Sequence, residues 1–185
     1  MPIHNPAPGM AVMENAYPES AKFLADIIEA AELEYSPSAW RRSQTGHGTL
    51  GDHRSSVESD FTQLLCSREP EYEALAESTR SFQQTLDELV NEFKSVYDLG
   101  LCSDEGLRCI RYQNKAEYRI HHDHGELNMR ALSMVMFLND DFEGGQLEFP
   151  YFDVTIQPKA GQLVFFPSNF PYAHIAHPVE ERSEE

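Results

Sequence analysis

The sequence predicts an α+β domain in which helices come first and an antiparallel sandwich or barrel follows. Three observations predict it. Apolar residues recur at three-and-four spacing through the first half of the chain. After Gly100 short β-branched and aromatic runs alternate with turn residues. No strand-helix-strand alternation appears, which excludes a parallel doubly wound sheet. At 185 residues and 21.1 kDa the chain has the length of a single domain. It divides into a lead-in over 1–17, helical support over 18–99 and a β-rich core over 100–185.

The lead-in carries Pro2, Pro6, Pro8 and Gly9 and reads as irregular. From Pro18 a helix is expected, with Phe23, Ile27 and Ala31 on one face and Leu24 and Ile28 beside them. Residues 36–56 lose that period and read as short strands around a loop, Thr45-Gly46-His47-Gly48, with the single Trp40. A long helix is expected from Pro70 to Asp98. Its stripe is Tyr72, Leu75, Thr79, Phe82, Leu86, Leu89, Phe93 and Val96, and Gly100 is the expected C-terminal cap. One stripe is what a helix covering a sheet needs. Strands are expected at 108–112, 118–121, 131–138, 146–149, 153–156, 162–166 and 172–176.

The charge narrows the function. A formal net charge of −17 and a pI near 4.7 argue against nucleic-acid binding, which needs a basic face, and against anionic membranes. No stretch approaches the apolar length of a membrane helix, and the N-terminus has no secretory pattern. Cys66, Cys102 and Cys109 form no CxxC pair, so a cytoplasmic protein without a disulfide framework is expected.

The informative stretch is Tyr118-Arg119-Ile120-His121-His122-Asp123-His124. On an extended chain His121 and Asp123 share one face. An imidazole and a carboxylate two residues apart can hold one divalent metal, with a third ligand from His174 or His177 on a later strand. Two histidines and a carboxylate suit non-haem Fe(II), because three positions stay open. The spacing alone also permits a zinc hydrolase.

The surrounding motifs narrow this. The histidine pair is followed by Arg130 leading a strand to Leu138-Asn139, then Gly144-Gly145-Gln146-Leu147-Glu148-Phe149-Pro150. Next come Pro158-Lys159-Ala160-Gly161-Gln162-Leu163-Val164-Phe165-Phe166 and His174-Ile175-Ala176-His177-Pro178-Val179. In this order the motifs resemble the Fe(II)/2-oxoglutarate-dependent dioxygenases, specifically their prolyl 4-hydroxylase-like branch. Trp40 and Asp52-His53-Arg54-Ser55-Ser56 are similar to that branch's N-terminal region, so the resemblance covers roughly residues 20–182.

The resemblance implies a double-stranded β-helix (jelly roll) with the N-terminal helices packed on one sheet. It implies Fe(II) held by His121, Asp123 and His174, with 2-oxoglutarate as co-substrate, O₂, and ascorbate as reductant. His122, His124 and His177 would lie behind the ligands or in solvent, with orienting a ligand or meeting substrate at the mouth as the other option. Tyr112 corresponds to a tyrosine that hydrogen-bonds the co-substrate, whereas Tyr118 and Arg130 read as structural. The implied reaction is hydroxylation of a C–H bond, with peptidyl proline as the default substrate, a small molecule as the other option, and succinate and CO₂ as co-products. The family's cationic anchor for 2-oxoglutarate corresponds to Arg182, unless the last strand lies beyond this sequence. The rival reading is a non-catalytic or degenerate jelly roll serving as an interaction module.

Overall fold

The computed structural model describes residues 3–33, 40–43, 53–60, 69–113, 115–125 and 129–181. Two four-stranded antiparallel sheets form its centre. The first has the order β1 (Ile3–His4), β2 (Ala11–Met13), β11 (Leu163–Pro167), β7 (Leu132–Met136). The second has the order β10 (Val154–Ile156), β9 (Leu147–Phe149), β12 (His174–Ala176), β6 (Tyr118–His121). A three-stranded sheet joins β3 (Arg41–Arg42), β4 (Val57–Asp60) and β5 (Arg108–Arg111), and a bridge between Arg54 and Tyr118 connects it to β6. A ribbon pairs β8 (Phe142–Gly144) with β13 (Val179–Glu181).

Alternation along β11 explains how the layers assemble. Leu163 and Phe165 point to one side, where they pack with Ala11, Met13 and the helices. Val164 and Phe166 point to the other, where they meet Leu147, Phe149 and Ile156 of the second sheet. Both faces of β11 are therefore buried, which is why its sequence is a continuous apolar run.

Helices α1 (Ser20–Glu32) and α2 (Glu73–Tyr97) cover the outer face of the first sheet. α2 buries Leu75, Thr79, Phe82, Leu86, Leu89 and Phe93, and Phe93 stacks on Phe165 with ring centroids 4.8 Å apart. Tyr17 and Phe23 meet Phe82 at 5.1 and 4.9 Å and tie α1 to α2. Lys22 adds a polar tie, donating to Asp26 at 2.7 Å and to Ser78 of α2 at 2.9 Å, while Ser78 also donates to Asp26.

Several expectations need correction. The lead-in is not irregular: β1 and β2 lie within it, and Ala11, Val12 and Met13 are buried. A three-residue strand is too short to show alternation, and one buried on both faces shows none. Val96 is 69% exposed and leaves the stripe. α2 is capped by Asp98, in the left-handed region at φ 50°, with its amide bonded to the Lys94 carbonyl. Aspartate tolerates that conformation, so Gly100 lies beyond the cap.

The acidic tail also departs from the reading. Val179–Glu181 is a strand, not only a solvated end. Its partner explains the Gly-Gly pair: at Gly144, φ is +74° and a Cβ would sit 2.2 Å from the Pro178 carbonyl oxygen. The Gly145 amide donates to that same oxygen at 2.9 Å. The loop at 45–48, Asp52 and Arg182 lie outside the described residues.

Candidate active site

The second sheet brings the three expected ligands together. His121 ends β6 and His174 opens β12, where the two are directly paired across the ladder. Asp123 follows two residues after His121. One ligand atom from each of His121, Asp123 and His174 lies within 4.8 Å of the others.

Hydrogen bonds fix how the imidazoles present themselves. His121 Nδ1 lies 2.8 Å from the Arg119 carbonyl, and His174 Nδ1 lies 3.1 Å from the Tyr172 carbonyl. A carbonyl can only accept, so in each neutral ring Nδ1 carries the proton and Nε2 bears a lone pair. Those Nε2 atoms lie 3.5 and 3.8 Å from Asp123 Oδ1.

Electrostatics agree with that assignment. Burial, followed by the neighbouring His121, pushes the His174 pKa down to about 4, so its ring is neutral near pH 7. Burial would raise the Asp123 carboxyl, but the imidazoles and the Ser133 hydroxyl outweigh it and hold the group well below the usual carboxylate range. The neutral His174 ring, the Nε2 edge of His121 and an anionic oxygen thus converge. That donor set fits a divalent transition metal.

The rings are held from several sides. Tyr118 stacks on His121 at 3.4 Å, and the Arg54 guanidinium sits 4.8 Å above the Tyr118 ring. Phe166 and Phe149 approach His174 at 4.8 and 5.6 Å. Arg130 forms a two-pronged pair with Glu105 at 2.6 and 2.7 Å, and its Nη1 stands 3.9 Å from Asp123 Oδ1.

The other histidines fall elsewhere. His177 pairs with Glu148 at 2.5 Å, apart from the cluster. His124 Nδ1 bonds the Arg130 carbonyl at 2.9 Å and its amide bonds the Ser168 carbonyl at 2.9 Å, so it ties Arg130 to Ser168. His122 is exposed. Tyr112 lies one residue past β5, hydrogen-bonded to Ser56, with Arg54 and Asp123 in its surroundings. Burial pushes its phenol up to about 12, so it remains a donor at neutral pH.

The sequence reading missed two residues, Ser133 and Ser168. Both are buried; Ser133 Oγ lies 2.5 Å from Asp123 Oδ2 and 2.8 Å from Ser168 Oγ. A serine inside the apolar run Leu-Ser-Met-Val-Met was the signal available for the first.

Comparison with known proteins agrees with this architecture. Residues 107–184 match the family model of the 2OG-Fe(II) oxygenase superfamily. No curated protein matches the chain. Among solved structures, a Pseudomonas putida prolyl-4-hydroxylase superimposes with TM-score 0.64 at 24% identity, over 94% of this chain and 86% of the other. A collagen prolyl hydroxylase of Paramecium bursaria Chlorella virus-1, in its 2OG complex, gives 0.61 at 18% identity, over 94% and 90%. A Trichoplax adhaerens prolyl hydroxylase, in complex with a hypoxia inducible factor peptide fragment, gives 0.67 at 15% identity, over 94% and 79%. The chain has the jelly-roll fold of the prolyl 4-hydroxylase-like 2OG-Fe(II) oxygenases, with its helices on one sheet. Residues 107–184, which include His121, Asp123 and His174, are the part of the chain that resembles the 2OG-Fe(II) oxygenase superfamily.

Proposed function

We propose that this protein hydroxylates a C–H bond of a peptidyl prolyl residue, with His121, Asp123 and His174 as the Fe(II) ligands. The observation that carries the assignment is the convergence of the His121 and His174 Nε2 atoms on Asp123 Oδ1 at 3.5 and 3.8 Å. The balanced reaction takes substrate, 2-oxoglutarate and O₂ to hydroxylated substrate, succinate and CO₂. One oxygen atom enters each organic product. Bound Fe(II) supplies the capacity to activate O₂ at the expense of the keto acid.

The chain's own residues prepare the site. The Arg119 and Tyr172 carbonyls hold each imidazole in the ligating tautomer, as outer partners of ligating histidines do. Tyr118, backed by Arg54, fixes the plane of the His121 ring. Phe149 and Phe166 bury His174 and keep water from that side. Tyr112 donates its phenolic proton to the co-substrate. Arg182 pairs with the distal carboxylate of 2-oxoglutarate, because a guanidinium offers two parallel donors and keeps its charge. Ascorbate serves as the reductant. Peptidyl proline is favoured because the three similar structures are prolyl hydroxylases, one of them bound to a peptide.

The test is incubation with Fe(II), ascorbate and 2-oxoglutarate in the presence of a proline-containing peptide library. Succinate release and a peptide heavier by one oxygen are expected. Succinate without a modified peptide would redirect the substrate assignment to small molecules. No succinate under any condition would contradict catalysis.

A further inference from the structure

We infer that Ser133, backed by Ser168, is a positioning residue that restricts Asp123 to one ligating oxygen and so keeps a coordination position open for 2-oxoglutarate. The inference rests on the metal site proposed above. It starts from the direction of two hydrogen bonds. An ionised carboxylate can only accept, so the 2.5 Å contact between Ser133 and Asp123 Oδ2 is a donation by Ser133. A hydroxyl has a single proton. The 2.8 Å contact between the two serines must therefore run from Ser168 to Ser133. The result is a one-way relay, Ser168 to Ser133 to Asp123.

The fold holds this relay rigidly. Ser133 lies on β7 directly opposite Phe166 of β11, and Ser168 stands two residues after Phe166, just past the end of that strand. The side chains at Ser133, Val135 and Phe137 share the face that looks into the space between the sheets. Ser133 is 7% exposed and Ser168 is wholly buried, so water does not replace either hydroxyl. The Ser168 amide also donates to the Ala131 carbonyl at 3.1 Å, which closes the link between the two strands.

The consequence lies in what each carboxylate oxygen faces. Oδ1 looks toward both Nε2 atoms, and Oδ2 is occupied by a short, charge-assisted bond. A carboxylate whose second oxygen is so engaged cannot swing it to the metal without breaking that bond. The three residues would then give a bound metal one atom each and leave its other positions to the keto acid and O₂. If Oδ2 were released, a two-oxygen grip by Asp123 would take one of those positions. The metal would still bind, but chelation by 2-oxoglutarate would compete with the protein.

The test is anaerobic calorimetry on the full chain, with Mn(II) titrated first and 2-oxoglutarate second. Ser133→Ala is expected to keep Mn(II) affinity within about threefold of wild type while 2-oxoglutarate binds roughly tenfold more weakly or worse, the equivalent of one charge-assisted hydrogen bond. Ser133→Thr retains the hydroxyl and should bind like wild type. Ser168→Ala leaves Ser133 in place and should weaken 2-oxoglutarate by a smaller factor in the same direction; it also provides the readout if Ser133→Ala does not fold. Wild-type 2-oxoglutarate affinity in both alanine variants would overturn the inference, as would a parallel loss of Mn(II) and 2-oxoglutarate. Failure of the wild-type protein to bind Mn(II) would instead overturn the metal site itself.

Discussion

Replacing Phe93 by alanine tests whether α2 is held by the sheet beneath it. Phe93 is 4% exposed and its ring lies nearly parallel to that of Phe165, at 16° and 4.8 Å between centroids. Tyr97 covers a second side at 4.6 Å. Phe165 cannot move to fill the gap, because it sits in the middle of a strand hydrogen-bonded on both edges. Truncating a buried Phe in such a setting costs ~3–5 kcal/mol. Against a total stability of ~5–15 kcal/mol, that is about a fifth or more. For a chain of this size the midpoint of thermal unfolding should fall by ~6–20 °C. Urea unfolding followed by circular dichroism measures the loss directly. Val96→Ala is the control, since it lies on the same helix but 69% exposed, and should change stability by less than ~0.5 kcal/mol. Equal effects of the two substitutions, or a loss below ~1 kcal/mol for Phe93→Ala, would refute helix-on-sheet packing.

Other consequences can be checked separately. Gly144→Ala forces a Cβ onto the Pro178 carbonyl at a positive φ, so it should destabilise by ~1–3 kcal/mol and loosen β13; faster amide exchange at Val179 and Glu180 would report it. Cys109 is buried and its thiol is pushed up to about 12 by that burial. At pH 8 only about one such thiol in ten thousand is ionised, so iodoacetamide should label exposed Cys102 and spare Cys109 until the protein unfolds. Equal labelling of both in the native state would contradict the packing around β5. Arg182→Ala should raise the KM for 2-oxoglutarate roughly thirtyfold or more, from the loss of a partly desolvated charge pair worth ~2–5 kcal/mol, while Mn(II) affinity stays unchanged. An unaltered KM would redirect the anchor to Arg130, Arg119 or Lys159.

Periodicity revealed the parts of this fold that are long or one-sided. α2 was legible because its stripe from Leu75 to Phe93 repeats through several turns. β6 was legible because four residues with β-branched and aromatic character sit between turns. The N-terminal strands were not, since Ala11-Val12-Met13 is buried on both faces and flanked by prolines that suggest a loop. The ribbon of β8 and β13 escaped for a related reason. Val179-Glu180-Glu181 looks like the start of an acidic tail, and only the contact of Gly144 and Gly145 with Pro178 gives it a partner. At the site, the grouping of His121, Asp123 and His174 was visible in the motifs. The tautomers, the Arg54-Tyr118-His121 stack and the serine relay were not, because they depend on contacts such as Arg54–Tyr118 (64 positions apart), Ser133–Ser168 (35) and Ser133–Asp123 (10), or on a backbone carbonyl whose direction the sequence does not encode.

The central claim is that His121, Asp123 and His174 hold one Fe(II) with room for 2-oxoglutarate. Anaerobic titration with Fe(II), followed by addition of 2-oxoglutarate, tests it by visible absorption. Chelation of Fe(II) by a keto acid produces a metal-to-ligand charge-transfer band. The account predicts one equivalent of Fe(II) per chain and a band that appears with 2-oxoglutarate in wild type and in His177→Ala. The band should be absent in Asp123→Ala and in His174→Ala. A wild-type protein that binds no Fe(II), or a band that survives in His174→Ala and vanishes in His177→Ala, would contradict the assignment.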